Sequence, residues 1–406
     1  MERVTPRKHC TLQQDAAPTG ATSSSRWTTA RLLLTFGVVA VLVILYASPR
    51  EMRIAIGSGA SRDSVRQRGK ASCHKNISIR SYGNASAFKF PVRVLGRVRH
   101  ESRANATIDL DYSDQSVHVL LIFTHACESS NMRKKLSNCL GSLMALSSVP
   151  LRLYIVTDGP SADIARQVLV DASANASSDV LAELLHVDDM LAPLADLTSF
   201  LQPLFSPDGG YYGKKLFLMS TGIHRLFPVA VRHLILLDID LQLRSDIALL
   251  YRHFALFPTG TIMGMAYDLQ PGYRHVLQKY RRKHPGTTCG EPPPRGNPGM
   301  NSGVVLVDLE AVRNSAIYKN FLRAKVVNFL VKKYSFRNNL GDQDFYSLIC
   351  WERPELFYVL PCTWNRQLCK YWRYRGYADV FDEYYRCNGT VHIYHGNCNS
   401  AIPSMK

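Results

Sequence analysis

From residue 117 to the end, short apolar runs alternate with polar loops and with stretches of helical spacing. Residues 117–123 are apolar except for His118 and stop at Thr124-His125; residues 151–156 run into Thr157-Asp158-Gly159-Pro160. Runs of this length predict strands covered on both faces. Between them, residues 132–147 put Leu136, Leu140, Leu143 and Leu146 on one helical face. Strand, helix, strand in that order predicts a βαβ unit and a parallel sheet. Further along, 164–169, 180–185, 214–226, 316–331 and 344–351 are expected as helices. Residues 233–237, 261–266, 304–307, 356–360 and 391–394 are expected as strands. The Pro/Gly-rich stretch 285–299 is a surface loop, long enough to serve a function. The fold class is therefore α/β, with a mostly parallel central sheet flanked by helices.

The pattern before residue 114 is different. The uncharged run 32–47 (LLLTFGVVAVLVILYA) lies between Arg31 and Arg50. With Ala30 and snorkelling arginines it reaches the length of a transmembrane anchor. The leader 1–31 is long for a cleaved signal peptide. Residues 48–113, rich in Ser, Arg, Lys and Gly, have the composition of a solvated stem, which leaves 114–406 as the folded domain. Arginines flank the anchor on both sides, so charge alone does not orient it. The sequons at Asn76, Asn84, Asn105, Asn175 and Asn388 all follow the anchor. They place the larger part in the secretory lumen, in a type II arrangement.

Composition adjusts this picture in two ways. In a chain of 406 residues, 46% hydrophobic and 20% charged excludes wholesale disorder. The formal net charge of +17 invites an anionic polymer as partner, but residues 1–113 hold 18 Lys/Arg and 7 Asp/Glu, while 114–406 hold 31 and 25. Most of the excess lies in the leader and stem, and no recognition motif accompanies it, so nucleic acid is not expected. Of ten cysteines, Cys350, Cys362, Cys369, Cys387 and Cys398 cluster near the C-terminus. Without paired CxxC units they read as disulfide partners in an oxidising lumen.

The chemistry concentrates at strand ends. The run 234–240, Leu-Ile-Leu-Leu-Asp-Ile-Asp, ends a short apolar strand in two carboxylates, Asp238 and Asp240, on either side of Ile239. Ligands gather at the carboxyl ends of such strands, and two carboxylates there can hold a divalent cation that bridges nucleotide phosphates. His395 follows the strand 391–394; two carboxylates and an imidazole suit Mn²⁺ better than Ca²⁺. Asn301, Ser302 and Gly303 precede a buried strand, where the glycine admits close backbone approach to a ligand or simply makes a turn. Asp342 is expected as the N-cap of a helix, which leaves Gln343 free to face a sugar. Aromatic residues gather from Trp364 to Tyr385 and form a platform for saccharide or protein, or core.

LILLDID, MNSGVVLVDL, GDQDFYSLI and a terminal strand ending in His395 together resemble family 8 retaining glycosyltransferases, over roughly residues 115–403. The resemblance implies the GT-A fold and a nucleotide-sugar donor. It makes Asp238, Asp240 and His395 the ligands of Mn²⁺, with Mg²⁺ as a substitute. It sets Phe123, Thr124 and His125 at the uridine nucleotide, with Ile239, Asn301 and Gly303 in the same donor site. Ser302 and Gln343 fall at the donor sugar, and Gln270, Tyr273, Arg274, Trp364, Trp372 and Asn397 on the acceptor side.

The segments GDQDFYSLICWERPELFYVLPCTWNRQLC and VHIYHGNCNSAIP are similar to members that extend xylose. They imply transfer of α-xylose from UDP-xylose to the 3-hydroxyl of xylose, on the O-linked xylosyl-glucose of EGF-like repeats in Notch-type receptors. They imply residence in the endoplasmic reticulum membrane, with the Golgi as the alternative. A homodimer stays open. Many members carry a lysine shortly after this histidine; here none follows, and Lys214, Lys215 or backbone N–H groups are the substitutes, unless both lysines are merely solvated. For a retaining transfer, front-face attack supported by Gln343 is preferred, with Asp344 as the nearby carboxylate for a covalent route. The rival functions are a related UDP-hexose transferase and an inactive, lectin-like protein of the same fold.

Overall fold

The computed structural model describes residues 90–92, 116–207 and 214–404. The leader, the run 32–47, the stem apart from 90–92, and the sequons at Asn76, Asn84 and Asn105 lie outside the described residues. Among the described residues no helix is long and apolar enough to cross a membrane.

Eleven strands are described in chain order: β1 (Phe90–Val92), β2 (Val117–Phe123), β3 (Leu151–Thr157), β4 (Val180–His186), β5 (His233–Leu237), β6 (Leu241–Leu243), β7 (Met263–Tyr267), β8 (Met300–Asp308), β9 (Phe357–Val359), β10 (Arg366–Gln367) and β11 (Ile393–His395). Eight form one sheet in the order β1-β4-β3-β2-β5-β8-β7-β9. β4, β3, β2 and β5 run parallel, and β8 enters antiparallel between β5 and β7. The long helices are α1 (Ser130–Leu146), α2 (Gly159–Ser173), α3 (Ala195–Phe205), α4 (Ala316–Phe321), α5 (Ala324–Tyr334) and α6 (Asp342–Glu352).

Both faces of the sheet are covered, which is why the strands read as unbroken apolar runs. Val119, Leu121, Leu153, Ile155 and Ile235 pack with Leu136 and Leu140 of α1 and Val168 of α2. Their neighbours Leu120, Tyr154, Leu234 and Leu236 face the opposite layer, with Leu201 of α3, Leu330 of α5 and Phe345 of α6.

Four expectations need correction. Residues 180–185 form β4, not a helix. Leu, Ala and Glu favour helix, but Val180, Ala182 and Leu184 are buried in alternation, and β4 pairs with β3 along seven residues. The sheet position overrides local propensity. The helix expected over 316–331 is two, α4 and α5, with α4 capped by Ser315, whose hydroxyl accepts from the Tyr318 N–H at 3.1 Å. Lys215–Arg225 is a 3₁₀ run. β8 begins at Met300, so Asn301, Ser302 and Gly303 lie inside the strand; a bulge between Met265 and Ala266 shifts the β7–β8 register there.

A second sheet, β10-β11-β6, crosses the carboxyl end of β5 and sets His395 opposite Leu241. Disulfides Cys362–Cys387 and Cys369–Cys398 brace it with four of the five clustered cysteines. The fifth, Cys350, expected among them, lies buried outside these bridges and accepts from Asn297 Nδ2 at 3.1 Å; Cys127 is also disulfide-bonded. The sequon asparagines Asn175 and Asn388 are both exposed.

Candidate active site

The backbone assembles the centre before any side chain takes part. The Asp238 N–H donates to the Gly303 carbonyl at 2.9 Å, and the Gly396 N–H donates to the Asp240 carbonyl at 2.8 Å. The end of β5, the middle of β8 and the end of β11 are thereby locked together. Alternation then turns Ile239 into the core, where it is buried, and turns the aspartates on either side of it toward His395, Asp238 half-exposed and Asp240 mostly buried. This corrects Ile239 as a donor-site side chain.

Asp238, Asp240 and His395 each present one ligand atom within 4.8 Å of the other two. His395 Nε2 lies 3.5 Å from Asp238 Oδ2 and 3.3 Å from Asp240 Oδ1. Its Nδ1–H donates to Asn365 Oδ1 at 2.9 Å, which fixes the ring with Nε2 toward the carboxylates. An O,O,N set with the imidazole oriented by a hydrogen bond on its far nitrogen fits a divalent transition metal. Burial opposes charge on both partners of this cluster. It would raise Asp240, but His395 and Lys135 outweigh it and hold the carboxyl down to about 2. It would lower His395, but hydrogen bonds and charge from Asp238 and Asp240 lift the imidazole to about 9.

A pH dependence follows. Below about pH 9 the metal-free imidazole is protonated, and a metal must displace that proton. Mn²⁺ affinity is expected to rise about tenfold per pH unit between pH 6 and 8, as measured by calorimetry. A flat profile would remove His395 from the ligand set.

Behind the histidine, polar groups form a continuous chain. Asn365 Nδ2 donates to Asn301 Oδ1 at 2.8 Å, and Asn301 Nδ2 donates to Gln343 Oε1 at 3.1 Å. Gln343 Nε2 donates to the Tyr273 hydroxyl at 3.3 Å, and that hydroxyl donates to Asp344 Oδ1 at 2.9 Å. A satisfied network of this kind rigidifies the groups in it. Gln343 is thus held from both ends, half-buried at the start of α6.

Asp344 differs from expectation. It is completely buried; Asn338 and Tyr273 donate to Oδ1, the Leu340 N–H donates to Oδ2 at 2.8 Å, and burial pushes the carboxyl up to about 7. With both oxygens engaged it presents none to a substrate. Asp342 is not the helix cap; Gly341, at φ +65°, takes that position. Instead the Asp342 carboxylate accepts from the Ser220 hydroxyl, and from Ser302 Oγ at 3.1 Å, while burial pushes it up to about 7 with Asp238 adding to the rise.

The residues expected at the nucleotide, Thr124 and His125, line a cleft of about 440 Å³ at the ends of β2 and β3, together with Asp158, Gly159, His186 and Lys214 among others. His125 is left-handed at φ +59°, and its N–H donates to Asp158 Oδ2 at 2.7 Å. Lys214 Nζ meets His125 Nε2. Phe123, in contrast, is fully buried in the core and anchors the strand rather than lining the cleft.

On the acceptor side the expected residues divide. Trp372 is half-buried, ringed by His275 and Tyr377, and its backbone N–H donates to Gln270 Oε1 at 3.4 Å. Trp364 is only 4% exposed and stacks on His392, so it is core and no platform. Tyr273 is buried and serves Gln343 and Asp344. Arg274 turns to Glu291, with Nη1 donating at 2.7 Å, and so ties down the 285–299 loop. Asn397 spends its side-chain oxygen on the N–H groups of Leu368 and Cys369.

Asp158, Lys135, Asn365 and Asp268 were not picked out from sequence, and Asp342 was read there only as a helix cap. Asp268 closes β7 as a buried carboxyl, raised to about 7 by burial against the opposing charge of His395. A carboxylate at a strand end was the signal available for Asp158 and Asp268. Asn365 and Lys135 carried no local signal.

A mostly parallel α/β sheet whose β5 end carries an aspartate pair, met by a histidine from a terminal strand, defines a glycosyltransferase of the GT-A type. The chain is 40% identical over 295 residues to xyloside xylosyltransferase 1 of Mus musculus and, over the same length, 40% identical to that of Homo sapiens. Each match covers 70% of this chain and 74% of the relative. The crystal structure of the mouse enzyme in its apo form matches with TM-score 0.67, covering 71% of this chain and 100% of that one. The chain belongs to the xyloside xylosyltransferase family. No protein-family model matches it.

Proposed function

We propose that this glycosyltransferase moves α-xylose, with retention, from UDP-xylose to the 3-hydroxyl of xylose on the xylosyl-glucose of EGF-like repeats. In this reading it is Mn²⁺-dependent, anchored by residues 32–47 in the endoplasmic reticulum membrane, with residues 114–406 luminal beyond a stem. The observation that carries it is the convergence of Asp238, Asp240 and His395 within 4.8 Å, beside a strand tied to Gln343. These three residues would hold the metal, which supplies Lewis acidity to the leaving diphosphate.

The chain's own residues do the rest. Thr124, His125 and Asp158 bind the nucleoside, while Ser302 and Gln343 orient the donor sugar. The bond from anomeric carbon to diphosphate oxygen breaks as the acceptor oxygen bonds to the same face. The acceptor's proton passes to the departing phosphate oxygen. Front-face attack is favoured because Asp344 has no oxygen to offer and an amide such as Gln343 is a poor nucleophile. Trp372 supports the acceptor.

The test is direct. The full chain with UDP-xylose, Mn²⁺ and a xylosyl-glucosyl acceptor is expected to form an α-1,3-linked xylose, and chelation is expected to stop it. A panel of UDP-sugars separates the donors: faster turnover of UDP-glucose or UDP-galactose would move the assignment to a hexosyltransferase. No transfer from any of them would leave the lectin-like reading.

A further inference from the structure

Beside Asp240 lies a lysine that the reading above leaves unused. Lys135 lies in the second turn of α1 and its side chain is 21% exposed. Its Nζ is 3.3 Å from Asp240 Oδ2 and donates to Asn399 Oδ1 at 2.8 Å. His395 faces the other oxygen of the same carboxylate, so Asp240 is held between the imidazole and the ammonium. Among the described residues, no other lysine or arginine makes an ion pair with Asp238 or Asp240. Lys214 is turned to His125 in the nucleotide cleft, and Lys215 reaches Ser199 Oγ at 3.4 Å. Lys135 also opens on a second cleft of about 440 Å³, shared with Asp240, Lys134, Asn138, Gln242 and Asn399.

Charge balance gives that lysine a task. A nucleoside diphosphate sugar brings negative charge on two phosphates to a centre that already has two carboxylates. A divalent cation and a neutral imidazole offset only part of it. A compact ammonium with three donors is suited to a phosphate as a point charge. We propose that Lys135 binds the diphosphate of the donor: Asp240 is its partner in the donor-free protein, and a diphosphate oxygen its partner in the donor complex. The inference rests on the nucleotide-sugar reading and adds to it the residue that recognises the diphosphate. Asn399, from the loop after β11, aligns the ammonium.

The test compares UDP with uridine, each titrated into the full chain with Mn²⁺ present, for the wild type, Lys135→Met and Lys135→Arg. Charge-assisted hydrogen bonds of this kind predict that Lys135→Met weakens UDP at least about tenfold and leaves uridine unchanged. Lys135→Arg is expected to recover most of the loss. Mn²⁺ titrated alone should bind Lys135→Met at least as tightly as wild type, because a competing cation has left Asp240. Unchanged UDP affinity in Lys135→Met overturns the proposal, as does a parallel loss for uridine or a matching loss for Mn²⁺ alone. If the wild type itself does not bind UDP, the nucleotide-sugar reading fails instead.

Discussion

Asp240→Asn is expected to lower Mn²⁺-dependent turnover by about a thousandfold, the scale of several kcal/mol of charge stabilisation, while the chain stays folded. The argument rests on how this carboxylate is held. Burial opposes its ionisation, and His395 and Lys135 nevertheless keep it down to about 2. It is therefore anionic across the working pH range and presents Oδ1 toward the centre. An amide has nearly the same shape and keeps the backbone link from Gly396, so geometry survives and charge does not. Asp238→Asn should act similarly, since its oxygen completes the same set. Mn²⁺ titration and initial rates on the two variants would check this. Turnover within tenfold of wild type would show that the pair is not a metal ligand set.

The aspartates were legible because everything that identifies them is local. A buried strand, its end and two carboxylates two residues apart all fall within seven positions. His395 needed its partners from 155 residues away, and its register opposite Leu241 became visible only when β11 was laid beside β6. Asn365 gave no signal, because its value lies in joining His395 to Asn301. Residue type also promised exposure where packing refused it. Trp364 and Tyr273 have the chemistry of sugar platforms, yet the first stacks on His392 inside the core and the second spends its hydroxyl on Asp344. Asp342 looked like a cap until Gly341 took the cap conformation and freed the carboxylate for Ser220 and Ser302. In β4, helix-forming residues yielded to an available ladder on β3. The parallel core was readable from periodicity, whereas the site depended on contacts that periodicity does not encode.

Gly303→Ala is the second substitution with a large expected effect, and it separates position from charge. Gly303 lies within β8, where its backbone is not left-handed, so alanine meets no conformational objection. The obstacle is space: an added Cβ would lie 2.6 Å from His395 Nδ1, hard against Cε1 of the same ring, and 3.1 Å from Asn301 Oδ1. The ring has little room to retreat, being buried at 3% exposure and tied to Asn365. Gly303 is fixed in turn by its N–H to Asn301 Oδ1 and its carbonyl to Asp238. The imidazole must then tilt and give up Asn365. Loss of such an orienting bond typically weakens metal affinity about 10–100-fold, with an overpacking cost of about 1–3 kcal/mol. Gly264→Ala provides the comparison, because its Cβ would meet the Phe257 ring at 2.9 Å, away from the histidine. Both variants should unfold at lower denaturant, but Mn²⁺ affinity should fall in Gly303→Ala alone. If Gly303→Ala binds Mn²⁺ within twofold of wild type, the strand does not hold the histidine in place, and the site is more adaptable than its packing implies.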